Sequence, residues 1–142
     1  MKYSINRILF VISLCLLLTA CRGAAERQLV AAAEDYNRTC PVRMSDIIRI
    51  DSLYYDRAGH DMAFCCTVTG LSHGVMADDA ALLTVMDYCE KESKTQLEQL
   101  KSNDYGRETI MLLKRAGATL SFAYALDDGT PLTRNTFTKT DM

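Results

Sequence analysis

The chain has 142 residues, of which 49% are hydrophobic, 24% charged and 8% aromatic, a composition that belongs to a folded domain rather than a disordered or fibrous chain. Seven glycines and two prolines exclude collagen-like and low-complexity sequence, and at this length a second domain has no room. With 16 basic against 18 acidic residues and no basic run, the chain lacks the electrostatic footprint of a nucleic-acid binder.

Residues 1–20 stand apart from the rest. Lys2 and Arg7 form a basic start, and an apolar run from Ile8 to Leu18 follows, broken only by Ser13. That run has the length of a signal-peptide core and falls well short of the ~20 residues a spanning helix needs. It ends in Leu18-Thr19-Ala20-Cys21. Here the sequence resembles the lipobox of bacterial lipoproteins, in which a branched apolar residue and two small residues precede a cysteine, and the charged start, short core and lipobox occur in the right order. The resemblance implies that the Cys21 sulfur carries a diacylglycerol, that cleavage follows Ala20, and that the new amino group is acylated. Each buried acyl CH₂ contributes roughly 0.8 kcal/mol and one chain alone anchors only marginally, so several chains make a durable anchor. Enteric bacteria retain lipoproteins in the inner membrane with an Asp after the cysteine; Arg22 stands there instead, which by the same resemblance implies the outer membrane.

The expected organisation is therefore a signal peptide over 1–20 and a single envelope domain over 21–142. Losing Lys2 and Arg7 leaves fourteen basic residues against 18 acidic, a net charge of −4. By total charge such a domain is also unsuited to anionic lipid.

Leu29, Ala32, Ala33, Tyr36 and Cys40 recur at three- and four-residue spacing, which predicts an amphipathic helix over 24–40, stopped by Pro41. Ile47–Tyr55 and Asp61–Thr69 read as strands joined by a hairpin turn at Asp56-Arg57-Ala58-Gly59. In the second, Met62, Phe64, Cys66 and Val68 form a greasy face. After a loop over 70–74, Asp78 or Asp79 can cap a long helix over 78–101, with Leu82, Val85, Met86, Cys89, Leu97 and Leu100 on one side and Glu90, Lys94 and Glu98 on the other. Asn103 or Asp104 starts a shorter helix through Ala116, and Gly117 ends it. Leu120, Phe122, Tyr124 and Leu126 alternate in a third strand, Asp127-Asp128-Gly129 turns the chain, and Pro131–Lys139 returns as an edge strand. The order α-β-β-α-α-β-β predicts an α+β fold of two layers, a four-stranded antiparallel sheet with helices on one face.

A second resemblance rests on Asn37-Arg38-Thr39-Cys40-Pro41, Ile50-Asp51-Ser52, the stretch Leu112–Gly117, Tyr124 and Asp127-Asp128-Gly129. With these the chain looks like a set of small, uncharacterised exported bacterial domains, over most of residues 25–140. It implies a fold and a compartment and no activity.

Besides Cys21 the mature chain keeps Cys40, Cys65, Cys66 and Cys89. Export permits disulfides. Cys65 and Cys66 are strand neighbours pointing to opposite faces, so they do not bond each other comfortably. Cys66 shares the greasy face with Phe64 and Cys89 lies on the apolar stripe of the long helix, so Cys66–Cys89 is the pair best placed for a disulfide, while the favoured reading of these cysteines is as small buried hydrophobes. No Cys-x-x-Cys supports a redox role. His60, Cys65, Cys66 and His73 fall within fourteen residues, but their spacing matches no common zinc pattern, and no metal is expected. Asn37-Arg38-Thr39 and Asp51-Ser52-Leu53 fit glycosylation triplets that also arise by chance.

Asp78-Asp79 and Asp127-Asp128 sit where a cap and a turn need them. There is no Gly-x-Ser-x-Gly, His-Glu-x-x-His or glycine-rich phosphate loop, so neither a catalytic residue nor a cofactor is expected. The sequence reads as a non-enzymatic envelope lipoprotein that binds a protein or glycan and meets the membrane through Cys21. Two alternatives stay open: an inhibitor-like periplasmic module, and an enzyme using Asp51, Tyr54, Tyr55 or His60 near the first hairpin.

Overall fold

A computed structural model describes the backbone of residues 2–71, 74 and 77–142, and the side chains among them from residue 20 onward. Among the described residues the elements are α1 (Lys2–Asn37), β1 (Val42–Arg43), β2 (Ile48–Asp56), β3 (Asp61–Val68), α2 (Asp79–Ser102), α3 (Asp104–Ala116), β4 (Thr119–Leu126) and β5 (Pro131–Phe137). The α+β class and both hairpins agree with the sequence reading.

Two details differ from the expected sheet. It has five strands in the order β1-β2-β3-β4-β5, because the two-residue β1 pairs antiparallel with β2 through Val42 and Ile50. It is also mixed rather than antiparallel, since β3 and β4 run parallel, from Asp61 opposite Thr119 to Val68 opposite Leu126. Side-chain alternation tells which face of a strand is buried and is silent about its direction. Direction follows from the connection, and the two-helix crossover between Val68 and Thr119 returns the chain to the end where β3 began.

The first helix also ends earlier than Cys40. Asn37 turns its amide onto β2, donating from Nδ2 to the Leu53 carbonyl at 2.8 Å and accepting from the Leu53 N–H at 2.7 Å. It thus supplies Leu53 with the partner that β1 is too short to provide. Asp78 caps α2, accepting from the amides of Ala80 and Ala81. Asn103 caps α3, accepting from the Gly106 N–H at 2.7 Å. The corner between α2 and α3 requires glycine at 106, where an added Cβ would lie 2.2 Å from the Leu100 carbonyl oxygen. Gly117 closes α3 in the left-handed conformation, at φ 65°.

All three helices pack on one face of the sheet. Met62, Phe64, Cys66 and Val68 are buried with Leu120, Phe122, Tyr124 and Leu126, beneath Leu29 and Ala33 of α1, Cys89 and Leu97 of α2 and Leu113 of α3. An aromatic column runs through this core: Phe64 stacks on Phe122 with ring centroids 4.9 Å apart, while Tyr36 meets Phe64 and Phe137 meets Phe122 edge-on. Glu90, Lys94 and Glu98 are exposed as the helical spacing predicts. Leu82 and Met86, expected beside Cys89 in the core, are only half-buried, and Leu83 is 65% exposed. The start of α2 therefore overhangs the sheet, and the helix reaches the core from Cys89 to Leu100.

Candidate functional site

The residues singled out near the first hairpin divide between the two faces of the sheet. On the open face, a bulge at Asp51 turns its carboxylate to Arg49 Nε at 2.6 Å and to the Thr67 hydroxyl. Farther along the same face Asp61 is buried, accepting from Ser121 Oγ at 2.9 Å, from Thr119 Oγ1 and from Arg134, which also lies beside Tyr54. Every acceptor on Asp61 is thereby engaged, which ties β3, β4 and β5 together. On the helix side, His60 closes the hairpin turn in a left-handed conformation, at φ 49°. Its Nδ1 lies 3.3 Å from Glu26 Oε1 without the alignment of a hydrogen bond, and the same oxygen accepts from the Tyr55 hydroxyl at 3.3 Å. Burial first, then the Glu26 carboxylate, pushes the Tyr55 phenol pKa upward. Asp51 and Tyr54 thus sit across the sheet from Tyr55 and His60, and the four do not converge on one reacting centre. The sequence reading missed Glu26. Its signal was its place one helical turn before Leu29, at the rim of the apolar stripe.

Cys65 lies half-buried on the open face and Cys66 is buried on the helix face, as strand neighbours must. Cys66 and Cys89, the two disulfide candidates, both lie in the core, and their thiols are free in this structure, like those of Cys21, Cys40 and Cys65. Burial pushes the Cys66 thiol up to about 12 and Cys89 to about 11. Among the described residues no group of three or more His, Cys, Asp or Glu side chains is placed to hold a metal ion; His73 lies outside them. The second acidic pair fastens the chain: Asp127 accepts from the distant Gly70 N–H at 3.0 Å, and Asp128 accepts within its own turn from the Thr130 N–H at 2.9 Å.

One concave surface lies between α1 and α3. The two helices run antiparallel, because Glu26 meets His60, whose carbonyl accepts from Thr119 just past α3, while Asp35 acts on Tyr105 at the start of α3. Between them is a groove of about 560 Å³ floored by Ala31, Ala32 and Leu112 and flanked by Glu34, Glu108 and Asp35, which pairs with Arg38 at 3.4 Å. Tyr105 stands at its wall, 52% exposed, with its phenol pKa raised by partial burial and then by Asp35 and Glu108. Behind Tyr105 and Thr109 a second cavity of about 230 Å³ reaches toward Phe64, Met62 and Leu120. It is apolar except for Asn103, Thr109 and the phenols of Tyr36 and Tyr105, and burial pushes Tyr36 up to about 12. An apolar pocket with a few polar groups at its mouth can accept an apolar side chain.

At the other end of this helix pair, Cys21 is exposed on α1, four residues before Ala25, the first buried side chain among the described residues. The profile of a family described as Domain of unknown function (DUF8479) matches residues 23–132. The chain belongs to this family. No curated protein matches it. Solved structures share the fold of this DUF8479 member at low identity. A Pseudomonas aeruginosa protein described as secreted is 13% identical, with a TM-score of 0.58 over 83% of this chain and 92% of its own. The type II secretion system pilotin AspS of Vibrio cholerae is 10% identical, with a TM-score of 0.57 over 87% and 97%. The pilotin EpsS of the Vibrio vulnificus type 2 secretion system is 11% identical, with a TM-score of 0.51 over 84% and 96%.

Proposed function

We propose that this protein is a lipid-anchored, non-enzymatic protein of the bacterial cell envelope, held in the outer membrane by acyl chains on Cys21, which binds another envelope protein along the α1/α3 groove. The observation that carries the reading is the position of Cys21. It stands exposed at the end of Leu18-Thr19-Ala20, four residues before the helix enters the core, where a thioether-linked lipid meets no packed side chain. The fold shared with two type II secretion pilotins supports a binding role. The groove favours a protein over a glycan, because its floor is aliphatic and its flanks bear Glu34 and Glu108 beside the Asp35–Arg38 ion pair, which suits a segment with both basic and apolar side chains.

Mass spectrometry of the native protein tests the anchor: the mature N-terminus is Cys21 carrying acyl chains, and Cys21→Ala leaves the precursor uncleaved. An unmodified Cys21 overturns it. A photo-crosslinking residue at Tyr105 in intact envelopes tests the groove, with the same residue at Lys94 on the exposed side of α2 as control. One protein adduct specific to position 105 is expected; equal adducts at both positions, or none, refute the groove as the docking site.

A further inference from the structure

The total charge of the mature chain hides its distribution, which the fold sorts by end. The end where β2 finishes, β3 and β4 begin and α3 terminates is the end that bears Cys21. It gathers Arg22, Arg27, Arg57, Lys114, Arg115 and Lys139. Arg22 and Arg57 both act on the Tyr55 phenol, which places them together across the α1/β2 contact. The Arg27 guanidinium folds back toward Gly23, since a Cβ added there would lie 3.9 Å from its Nη1. Lys114 and Arg115 fill the last turn of α3, five and four residues before Thr119, whose amide donates to the His60 carbonyl. Lys139 follows Phe137 by two residues, and Phe137 pairs with Leu120 at the same sheet end.

The carboxylates at this end are already engaged. Glu26 is shared by Arg22, Tyr55 and His60; Asp56 accepts from the Ala58 amide; Asp61 is held by Arg134 and two hydroxyls; and Asp141, two residues past Lys139, accepts from the Thr138 amide and hydroxyl. Among the described residues Arg27, Arg57, Lys114, Arg115 and Lys139 form no ion pair. The opposite end carries the acidic caps and turns of Asp46, Asp78, Asp79, Asp127 and Asp128.

We infer that the basic end is a membrane-seating surface that docks on anionic phospholipid headgroups beside the lipid on Cys21. This rests on the lipid-anchor reading, which brings the surface within a few residues, at ~1.5 Å rise each, of the bilayer. That is inside the ~8 Å over which charges act at physiological salt. A lipid on one residue leaves a domain free to swivel, whereas a ring of unpaired cations around the attachment point fixes its tilt. Polybasic surfaces next to an anchor are drawn to anionic lipid in this way. Seated so, Tyr36 stands fifteen residues along α1 from Cys21, roughly 22 Å above the surface, and the groove between α1 and α3 opens to the side.

The test uses the protein purified from membranes and reconstituted into vesicles of phosphatidylcholine alone or with about one-third phosphatidylglycerol. Flotation on phosphatidylcholine reads the acyl anchor by itself. Amine labelling of Lys114 and Lys139, with Lys91 and Lys94 of α2 as internal controls, reads the seating. With phosphatidylglycerol, labelling of Lys114 and Lys139 slows at least ~3-fold relative to the controls, and molar salt, where screening acts beyond ~3 Å, restores it. Arg57→Glu with Arg115→Glu, both exposed and unpaired, abolishes the protection without altering flotation. Equal labelling on both vesicles overturns the inference while leaving the anchor standing. Failure to float on phosphatidylcholine overturns the anchor, and flotation that then appears only with phosphatidylglycerol supports the basic end. Protection that needs an added acidic protein rather than lipid also overturns it.

Discussion

Ser93 and Tyr124 lock the long helix to the sheet, and their bond is unequal in a way that stability measurements expose. Both are fully buried. The Ser93 hydroxyl has one proton, which it donates to the Cys89 carbonyl at 2.8 Å, so the 2.7 Å contact with Tyr124 has the phenol as donor. Asn135 Nδ2 donates to the same oxygen at 3.0 Å. Tyr124→Phe removes the donor and leaves Ser93 with two partners, a loss of about 0.5–1.5 kcal/mol. Ser93→Ala orphans the phenol in the core at a cost of about 1–3 kcal/mol, offset by about 0.5 kcal/mol of improved helix propensity. Once Ser93 is gone the hydroxyl has nothing to bond, so Tyr124→Phe in that background is neutral or stabilising. Urea unfolding of the wild type, both single variants and the double variant measures the cycle, and the unfolding slope stays constant across the set. If Tyr124→Phe costs the same with and without Ser93, the bond carries no coupling energy and the reasoning fails.

Phe64→Ala cuts the middle of the aromatic column beside an existing cavity, so collapse cannot refill the space; a loss of about 3–5 kcal/mol follows, seen as a melting temperature roughly 10–25 °C lower. The Cys66 thiol titrates near 12 when folded against an ordinary 9.0, so its contribution is complete below pH 9 and is lost as pH rises toward 12; stability measured by urea unfolding falls across that window. In the native state at neutral pH, Cys66 and Cys89 resist alkylation while Cys65 reacts, and a linked Cys66–Cys89 peptide from unreduced protein would contradict this. Asp141 accepts from the backbone and hydroxyl of Thr138, which lowers its pKa; its support of the terminal turn is full above the unfolded carboxylate value and is lost as pH falls through the folded one. The Thr138 amide resonance accordingly shifts with a midpoint below 3.8.

The fold was largely legible where a residue's local neighbours decide its environment. Alternation at Met62, Phe64, Cys66 and Val68 marked the core face, and Asp78, Asn103 and Gly117 marked helix ends, because caps and pleats are properties of a few consecutive residues. Strand direction was not local. Nothing in Thr119–Leu126 says whether the crossover delivers it parallel or antiparallel to β3, and nothing in Val42–Arg43 says that two residues suffice to pair with β2. Leu82 and Met86 carry the right spacing for burial, but spacing cannot say where the sheet beneath a helix stops.

The proposed anchor is a sequence-local feature. Leu18-Thr19-Ala20-Cys21 is a short linear motif, so the neighbours of Cys21 in sequence carry the whole of that proposal. The groove and the basic end are the opposite case. Ala31, Ala32 and Leu112 become one floor only after α1 and α3 lie antiparallel, and Arg22, Arg57, Lys114 and Lys139 become one end only after four connections return to the same edge of the layer. A chain with a net charge of −4 outside its first twenty residues therefore carries a cationic end for the same reason that a mixed sheet can look antiparallel in sequence. The topology of the crossover decides which distant residues become neighbours, and it decides both at once.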